Sequence, residues 1–186
     1  LLASLLNGAC LCLYDFGSRG VTGLGRWIAE ERITSLNLPA AVARQWNGCG
    51  APAVAVPDLR DIRFSGAAAN GRDVERLLAT LPGTWRAWAS YASSEAGSVT
   101  RAVPAPADAL PPGTLHVGTP VAHRVVDLLD DAGAPVPPGE PGEVVVRGRF
   151  MATGYWRRPE LTAACFRDEP DGTTSYRTGD LGRLDA

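Results

Sequence analysis

Two carboxylate residues of this chain lie in short polar segments that could support chemistry. Glu95 ends the segment Tyr91-Ala92-Ser93-Ser94-Glu95, which follows an apolar run, and Asp180 ends the segment Thr178-Gly179-Asp180. A carboxylate can bind a hard cation such as Mg²⁺ or accept charge-assisted hydrogen bonds. Ligands of open α/β sheets bind beyond the carboxyl ends of strands, so a site is expected in the first segment. Taken alone, each segment is also typical of a polar turn that ends a strand.

Other residue types that often carry chemistry give weaker indications. The chain contains no lysine, so all 18 of its cationic side chains are arginine and none can act as a catalytic lysine. His116 and His123 have no cysteine or carboxylate neighbours at metal-ligand spacing, which is typical of structural or surface histidines. The glycine-rich stretch 20–25 has the wrong order for a dinucleotide fingerprint, and we interpret it as a loop that enters a helix.

Strands and helices alternate in the first part of the chain, and these elements must position the polar segments. Apolar runs predict strands at 9–14, 33–38, 61–65 and 85–90. The helical spacing of apolar residues predicts helices at 1–6, 21–31, 39–46 and 70–81, the last of them capped by Asn70. This alternation indicates an α/β fold with a mixed, largely parallel sheet and flanking helices.

The composition changes after about residue 103. The stretch 103–113 carries four prolines and is interpreted as a linker or boundary. Strands are predicted at 124–129 and 143–147, joined by a hairpin-like turn at 130–133, and a further helix is predicted at 159–166. We therefore expect an α/β subdomain at 1–112 and a small β-rich, barrel-like subdomain at 113–186. Trp156 and Phe166 are expected to be packing residues of the second one.

The composition argues against several classes of function. Apolar residues make up 45% and charged residues 20% of the chain, which is typical of soluble globular proteins. The net charge of −2 offers no basic patch for nucleic acid, and no apolar stretch is long enough to span a bilayer. The four cysteines lack a CxxC pair, and we interpret them as buried thiols in a reducing cytosol. This predicts a cytoplasmic protein without nucleic-acid or membrane partners.

Three further motifs, taken in their order and spacing, resemble one enzyme family. They are the run from Pro138 to Gly148, the run Gly154-Tyr155-Trp156-Arg157-Arg158-Pro159-Glu160-Leu161-Thr162, and the run Tyr176-Arg177-Thr178-Gly179-Asp180. With the segment that ends at Glu95, they resemble the adenylate-forming (AMP-binding) superfamily. The chain is similar to the central part of a nonribosomal peptide synthetase adenylation domain or of a related acyl-CoA ligase. The resemblance implies that a carboxylic acid and ATP give an acyl-adenylate and pyrophosphate.

The resemblance also implies roles for individual residues. Tyr91 would pack on the adenine ring, and Ser94 would hydrogen-bond the α-phosphate. Glu95 would be the catalytic residue and the Mg²⁺ ligand, and Asp180 would accept hydrogen bonds from both ribose hydroxyls. Ala92 stands where the family usually has glycine. The nucleotide site would also include Gly66, Ala67 and Ser90. The walls of the acyl pocket would be Asn37, Arg63, Ser65, Ser90, Ser98 and Val99.

The same resemblance implies the cofactors ATP and Mg²⁺ and three partners. These are a carboxylic, in particular an amino, acid, a carrier domain with a phosphopantetheine thiol, and the remaining parts of the adenylation domain. The family's phosphate-binding loop and its distal lysine are not in the chain, which looks like the interior of a longer one. We therefore expect the isolated chain not to form adenylate at a useful rate. The alternatives are a fragment of an acyl- or aryl-CoA ligase and a noncatalytic scaffold or degenerate half-domain.

Overall fold

A computed structural model describes residues 2–185. Its helices are α1 (Leu2–Leu6), α2 (Phe16–Arg19), α3 (Leu24–Glu30), α4 (Ala40–Gly48), α5 (Gly71–Thr80) and α6 (Pro159–Cys165), with a 3₁₀ turn at Ala107–Ala109. Its strands are β1 (Ser35–Pro39), β2 (Asp61–Ser65), β3 (Arg86–Ser93), β4 (Gly97–Arg101), β5 (Ala105–Pro106), β6 (Thr119–Pro120), β7 (Arg124–Leu129), β8 (Pro141–Gly148), β9 (Phe166–Asp168) and β10 (Thr174–Arg183). The first predicted helix and the second predicted subdomain include residues 1 and 186, which lie outside the described residues. Across residues 2–185 no helix has both the length and the apolarity that crossing a bilayer requires.

The chain folds into two units. The first comprises residues 2–89 with Ala102–Val117, and the second comprises Ser90–Arg101 with residues 118–185. Strand β3 begins in the first unit and ends in the second. The boundary that the sequence predicts between residues 112 and 113 stays a prediction.

The first unit contains the predicted parallel sheet. Strand β1 pairs parallel with β2, which pairs parallel with residues 86–89 of β3. Buried and exposed residues alternate along β1 and β2, because successive side chains of a strand point to opposite faces. The strand predicted at 61–65 and the mixed character of the sheet are confirmed: β1–β2 and β2–β3 pair parallel, whereas β3–β4, β3–β5 and β4–β6 pair antiparallel.

Helices of the first unit bury their apolar sides in one core together with the strands of this sheet. Helix α3 buries Leu24, Trp27 and Ile28, the residues whose spacing predicts an amphipathic helix. Helix α5 begins where predicted: the Asn70 side chain accepts a hydrogen bond from the Arg72 N–H at 2.9 Å. The largest fully buried side chains of this core are Trp46, Trp85, Phe64, Leu24, Ile28, Leu38, Ile62, Leu77 and Leu81.

The proline-rich stretch 103–113 is part of the first unit. Strand β5 pairs antiparallel with Arg86 and Ala87 of β3, and Ala107 is buried. The Gly71 N–H donates to the carbonyl of Gly113 at 2.8 Å, which fixes the stretch to the start of α5. The interpretation as a linker was wrong, because proline is compatible with a sheet edge, where its missing N–H leaves no gap in the ladder.

The strand predicted at 9–14 does not form. Among the described residues this segment has no strand partner, and it is attached to the core through Cys12 and Tyr14. The Tyr14 ring lies 5.1 Å from the Trp27 ring between centroids. The thiols are not buried as predicted: Cys10 is exposed, and the other three are half-buried. The apolar run therefore supplies side-chain packing rather than a place in the sheet.

The second unit contains an antiparallel sheet in the order β7-β8-β10-β9. The predicted β-rich character is confirmed, and so is the turn after β7, where Asp130 Oδ1 accepts from the Ala132 and Ala134 N–H groups. The core of this unit consists of Ala96, Val99, Leu128, Val144, Val146 and Tyr176. Phe166 packs against it as expected. Trp156 does not, because 85% of it is exposed.

Candidate functional site

The segment that carries Glu95 is the turn of a β-hairpin within the second unit. Residues 90–93 of β3 pair antiparallel with β4, and the ladder shifts register between Tyr91 and Ala92. The Ser93 hydroxyl accepts the Ala96 N–H at 3.0 Å, and Gly97 takes a positive φ of 67° that closes the turn. Strand β3 thus extends past the predicted end at Ser90. Tyr91 lies in the strand, and Glu95 lies in the turn.

The segment that carries Asp180 is a bulge in strand β10. Arg177 pairs with Val145 and Leu181 pairs with Glu143, so Thr178, Gly179 and Asp180 stand opposite Val144 alone. The Thr178 hydroxyl donates to the Val144 carbonyl at 2.8 Å and accepts the Asp180 N–H at 3.0 Å. It thereby stabilises the carbonyl and the amide that the bulge takes out of the ladder. Bulges of this kind are frequent next to functional sites, where they redirect a side chain.

Two charged groups brace the bulge from the neighbouring strand. Gly179, at φ 74°, donates its N–H to Glu143 Oε1 at 3.2 Å. Arg177 forms an ion pair with the other oxygen of the same carboxylate. The hydrogen bond from Arg177, followed by that from Gly179, holds the pKa of Glu143 below its ordinary value. Glu143 is therefore ionised at neutral pH and fixes both sides of the bulge.

Tyr91 connects the hairpin to the bulge. Its hydroxyl donates a hydrogen bond to Asp180 Oδ2 at 2.6 Å. Burial raises the pKa of Tyr91 to about 12, with further contributions from the Asp180 bond and from the charges of Asp180 and Glu95. The phenol therefore stays a neutral donor at neutral pH. The hairpin thus carries both Tyr91, which is bonded to Asp180, and Glu95, and the second unit contains both carboxylates.

Glu95 is held through its side chain and its backbone. Glu95 Oε1 accepts a hydrogen bond from the Tyr155 hydroxyl at 2.9 Å. The Tyr155 hydroxyl also lies 3.4 Å from the Tyr176 hydroxyl. The bond from Tyr155 is the main cause that lowers the pKa of Glu95, and desolvation opposes it. The Glu95 carbonyl accepts the Ala152 N–H at 2.7 Å. The next carbonyl, that of Ala96, accepts from the Arg124 guanidinium at 2.8 and 3.3 Å.

The remaining candidates of the second unit differ in exposure. Ser94 and Ser98 are exposed, and Ser90 is half-buried in β3. Val99 is fully buried in the core of the unit beside Ala96, so it offers no surface to a ligand in this conformation. Its assignment to the acyl pocket stays a prediction.

The first unit carries the other candidates on its sheet. Asn37 and Arg63 are neighbours in the register of β1 and β2 and lie on the face opposite the buried core residues. The Arg63 guanidinium lies 5.3 Å from the centre of the Trp88 ring, the range of a cation–π contact. Ser65 ends β2, and Gly66 follows at φ 83° before the exposed Ala67. Their roles stay predictions.

A family comparison identifies the chain. The model of the family described as "AMP-binding enzyme" matches residues 1–156. The chain belongs to the AMP-binding enzyme family.

Relatives of this AMP-binding family member include peptide synthases. A linear gramicidin synthase of Brevibacillus parabrevis is 35% identical over 97% of this chain, which spans 3% of that protein. Among solved structures, an artificially fused adenylation–PCP di-domain peptide synthetase from Klebsiella oxytoca matches 98% of this chain at 25% identity and a TM-score of 0.76. This chain spans 37% of that structure. A four-domain nonribosomal peptide synthetase bound to AMP and glycine matches 87% of this chain at 28% identity and a TM-score of 0.68, and 12% of that structure is covered.

The residues that support the two carboxylates of this AMP-binding family member were not predicted from the sequence. Tyr155 and Thr178 lie inside the motifs that carry the resemblance, yet no role was predicted for either. Arg124 gave no signal, because the arginine that begins a strand is ordinary in sequence. Within residues 2–185, no three His, Cys, Asp or Glu side chains form a cluster able to hold a metal ion.

Proposed function

We propose that this chain is part of an adenylating ligase that activates a carboxylic acid, in particular an amino acid, with ATP. In this reaction a carboxylate oxygen of the acid attacks the α-phosphorus of ATP, and the bond to the bridging oxygen breaks to release pyrophosphate. The sulfur of a carrier-protein thiol would then attack the acyl carbon, which forms a thioester and releases AMP and the thiol proton. The observation that carries the proposal is the hydrogen bond from Tyr91, in the hairpin that holds Glu95, to Asp180 in a member of the AMP-binding family.

Asp180 is suited to bind the ribose of the nucleotide. It is exposed, and within the described residues its side chain accepts one hydrogen bond, the one from Tyr91 to Oδ2. Its Oδ1 is therefore open to a hydroxyl donor, and a charge-assisted bond of this kind is strong. Tyr91 would present its ring to the adenine base, and the exposed Ser94 would donate to the α-phosphate.

Glu95 is suited to share a Mg²⁺ ion with the phosphates. Mg²⁺ is usually bound by one or two carboxylates together with substrate phosphates, rather than by a cage of protein ligands alone. One ionised carboxylate without a surrounding cluster of three protein ligands, as found within residues 2–185, fits that mode. When bound, the ion would neutralise phosphate charge during attack. For the first unit, Asn37, Arg63 and Ser65 are proposed to contact the acid, and Gly66 and Ala67 are proposed to contact the nucleotide.

The whole protein's substrate, partners and location are part of the same proposal. The peptide-synthase relatives and the di-domain structure favour an amino acid as substrate and a carrier domain as partner. They do not favour the CoA-ligase and scaffold alternatives. A cytoplasmic location stays a proposal, as does the inactivity of the isolated chain.

Binding of Mg·ATP to this chain tests the proposal. Amide shifts measured by NMR are expected to change in residues 90–101 and 174–183. Asp180→Asn is expected to weaken binding about tenfold or more, since a hydrogen bond to a charged group contributes roughly 1.5–3 kcal/mol. Asp168→Asn, an exposed aspartate of the same unit, should bind as the parent does. Shifts confined to other regions, or equal binding by both variants, would contradict the proposed site.

A further inference from the structure

The motif from Gly154 to Thr162 forms a brace that fixes the backbone at Tyr155. Gly154 has a φ of 143°, and a Cβ at this position would overlap the side chain of Thr162 in helix α6. The Tyr155 N–H donates to Thr162 Oγ1 at 2.9 Å, and the same hydroxyl donates to the Arg158 carbonyl at 2.9 Å. The spacing of glycine, tyrosine and threonine in this motif is thus explained by one local structure.

Aromatic contacts then fix the ring of Tyr155. Its ring meets that of Phe166 edge to face with centroids 5.5 Å apart, and Phe166 stacks on Tyr176 at 4.7 Å. Edge-to-face and offset-stacked rings are the favoured arrangements of aromatic pairs. With backbone and ring both held, the Tyr155 hydroxyl has a defined position, 2.9 Å from Glu95 Oε1.

We propose that Tyr155 is a positioning residue for Glu95, and that the structural role of the motif 154–162 is to hold the Tyr155 hydroxyl in place. The bond fixes Glu95 Oε1, and the orientation that it imposes would present the carboxylate to the Mg²⁺ ion that accompanies the nucleotide. This inference rests on the proposed function of Glu95. Tyr155 touches neither metal nor substrate in it, and acts through the orientation of the carboxylate.

Hydrogen bonds from surrounding side chains commonly orient metal-ligating carboxylates, and their loss typically weakens metal affinity 10–100-fold. Glu95 lies in a turn, where a carboxylate without such a bond would sample several rotamers. The titratable groups that act on Glu95 or on Tyr155 are Tyr176, Tyr91 and Cys165, with Asp180 bonded to Tyr91. A cation, Arg124, lies beside this turn and bonds the neighbouring Ala96 carbonyl, whereas the Glu95 carboxylate itself accepts from Tyr155.

Tyr155→Phe tests the inference, because it keeps the ring packing and removes only the hydroxyl. The side-chain carboxyl carbon of Glu95 is titrated by ¹³C NMR in the 186-residue chain, with Glu95→Gln to assign the signal. Its pKa is expected to rise toward the ordinary value in Tyr155→Phe. Mn·ATP then serves as a paramagnetic probe, and the concentration that half-broadens this signal is expected to rise about tenfold.

Tyr14→Phe is the matched control. The Tyr14 hydroxyl donates to the Gly20 carbonyl at 2.7 Å in the first unit, so its loss removes a comparable bond remote in the chain from Glu95. Neither the pKa nor the half-broadening concentration should change in this variant.

The outcomes separate the inference from the proposed function. An unchanged Glu95 pKa or an unchanged half-broadening concentration in Tyr155→Phe overturns the positioning role. Absence of broadening at Glu95 in the parent chain instead contradicts the nucleotide site itself. Should Tyr155→Phe fail to fold, the parent chain still decides: the Tyr155 Cζ signal must titrate with the same midpoint as Glu95, and independent titration overturns the inference.

Discussion

At the scale of single residues, Tyr91 determines how charge is distributed in the candidate site. A phenol with a pKa of about 12 stays protonated at neutral pH, so the site presents two carboxylates and one neutral donor. Asp180, which is bonded to this phenol, and Glu95, which lies in the hairpin that carries it, favour a ligand that brings its own hydrogen-bond donors or a cation. A ribose diol supplies hydrogen-bond donors, and a phosphate-bound Mg²⁺ ion is a cation. The electrostatics of the second unit therefore agree with the proposed ligand.

Asp180→Asn is expected to lower the pKa of Tyr91 from about 12 toward its ordinary value of 10. The change removes the charge and weakens the hydrogen bond, whereas burial, the largest cause, remains, so the pKa should fall only part of the way. Because the folded pKa is the raised one, the contribution of Tyr91 to stability is fully present below pH 10 and is lost as pH rises through about 12. Phenolate absorbance measured against pH, with Tyr91→Phe to assign the transition, checks this. An unchanged midpoint would exclude coupling between the two residues.

At the scale of elements, the bulge in β10 takes Asp180, the proposed ribose-binding residue, out of the regular strand pairing. Because Thr178, Gly179 and Asp180 stand opposite Val144 alone, Asp180 is displaced from the ladder. The Thr178 hydroxyl stabilises the Val144 carbonyl and the Asp180 N–H that lose their ladder partners. Gly179 makes this possible because it accepts the left-handed backbone that the bulge requires. The motif in which these residues occur thus has a structural cause as well as a chemical one.

Gly179→Ala is expected to destabilise the protein by about 1–2 kcal/mol, the penalty of a left-handed non-glycine residue. Space is not the obstacle, since a Cβ at Gly179 meets no atom within 4 Å. Gly133 is the matched control, because it has a φ of 80° and the same open surroundings in the turn after β7, outside the bulge. Urea unfolding should show similar losses for both alanine variants, whereas only Gly179→Ala should weaken nucleotide binding. Equal binding by the two variants would contradict a role of the bulge in the site.

A second element-scale prediction concerns the proline-rich stretch. In Gly71→Ala, the new Cβ would overlap the carbonyl oxygen of Pro111, a backbone atom that cannot easily move. We expect destabilisation of about 3 kcal/mol, the upper range for overpacking. Gly48→Ala is the control, since no atom lies within 4 Å of its Cβ and alanine is the better helix residue. The midpoint of urea unfolding, followed by tryptophan fluorescence, measures both. A near-neutral Gly71→Ala would show that the stretch is not packed against α5.

The sequence was sufficient to predict the elements whose cause is local. Strand 61–65 and the Asn70 cap follow from alternation and capping, which operate over a few residues. The strand predicted at 9–14 failed because an apolar run cannot reveal whether a partner strand is within reach. The linker interpretation of 103–113 is wrong for a related reason, because the proline content of a segment does not reveal whether it docks on β3.

The candidate site shows the same division. Glu95 and Asp180 could be nominated from motifs, because their residue types and spacing are visible along the chain. The residues that support them could not be predicted in this way. Arg124 contacts Ala96 from 28 positions away along the chain, and Tyr155 contacts Glu95 from 60 positions away. Such contacts depend on the register of strands and on the bulge, which the pattern of single segments does not encode.

At the scale of the whole molecule, the two units differ in the size of their apolar cores. Among the described residues, the core of the first unit includes Trp46, Trp85 and Phe64, whereas that of the second is a small cluster whose largest member is Tyr176. Buried apolar area is the main favourable term in folding, so the second unit should be less stable to local opening. It is also the unit that contains the candidate nucleotide site.

We therefore predict that the amide protons of Val144 and Val146 in the second unit exchange at lower urea concentrations than that of Ile62 in the first. The buried tryptophans Trp27 and Trp46 belong to the first unit, so tryptophan fluorescence reports mainly on that unit. Its unfolding midpoint should lie above the urea concentration at which the second-unit amides lose protection. Mg·ATP should raise protection in the second unit in proportion to its binding, since a ligand of the folded state stabilises that state by mass action. Coincident loss of protection and fluorescence would instead mean that both cores unfold in one cooperative step.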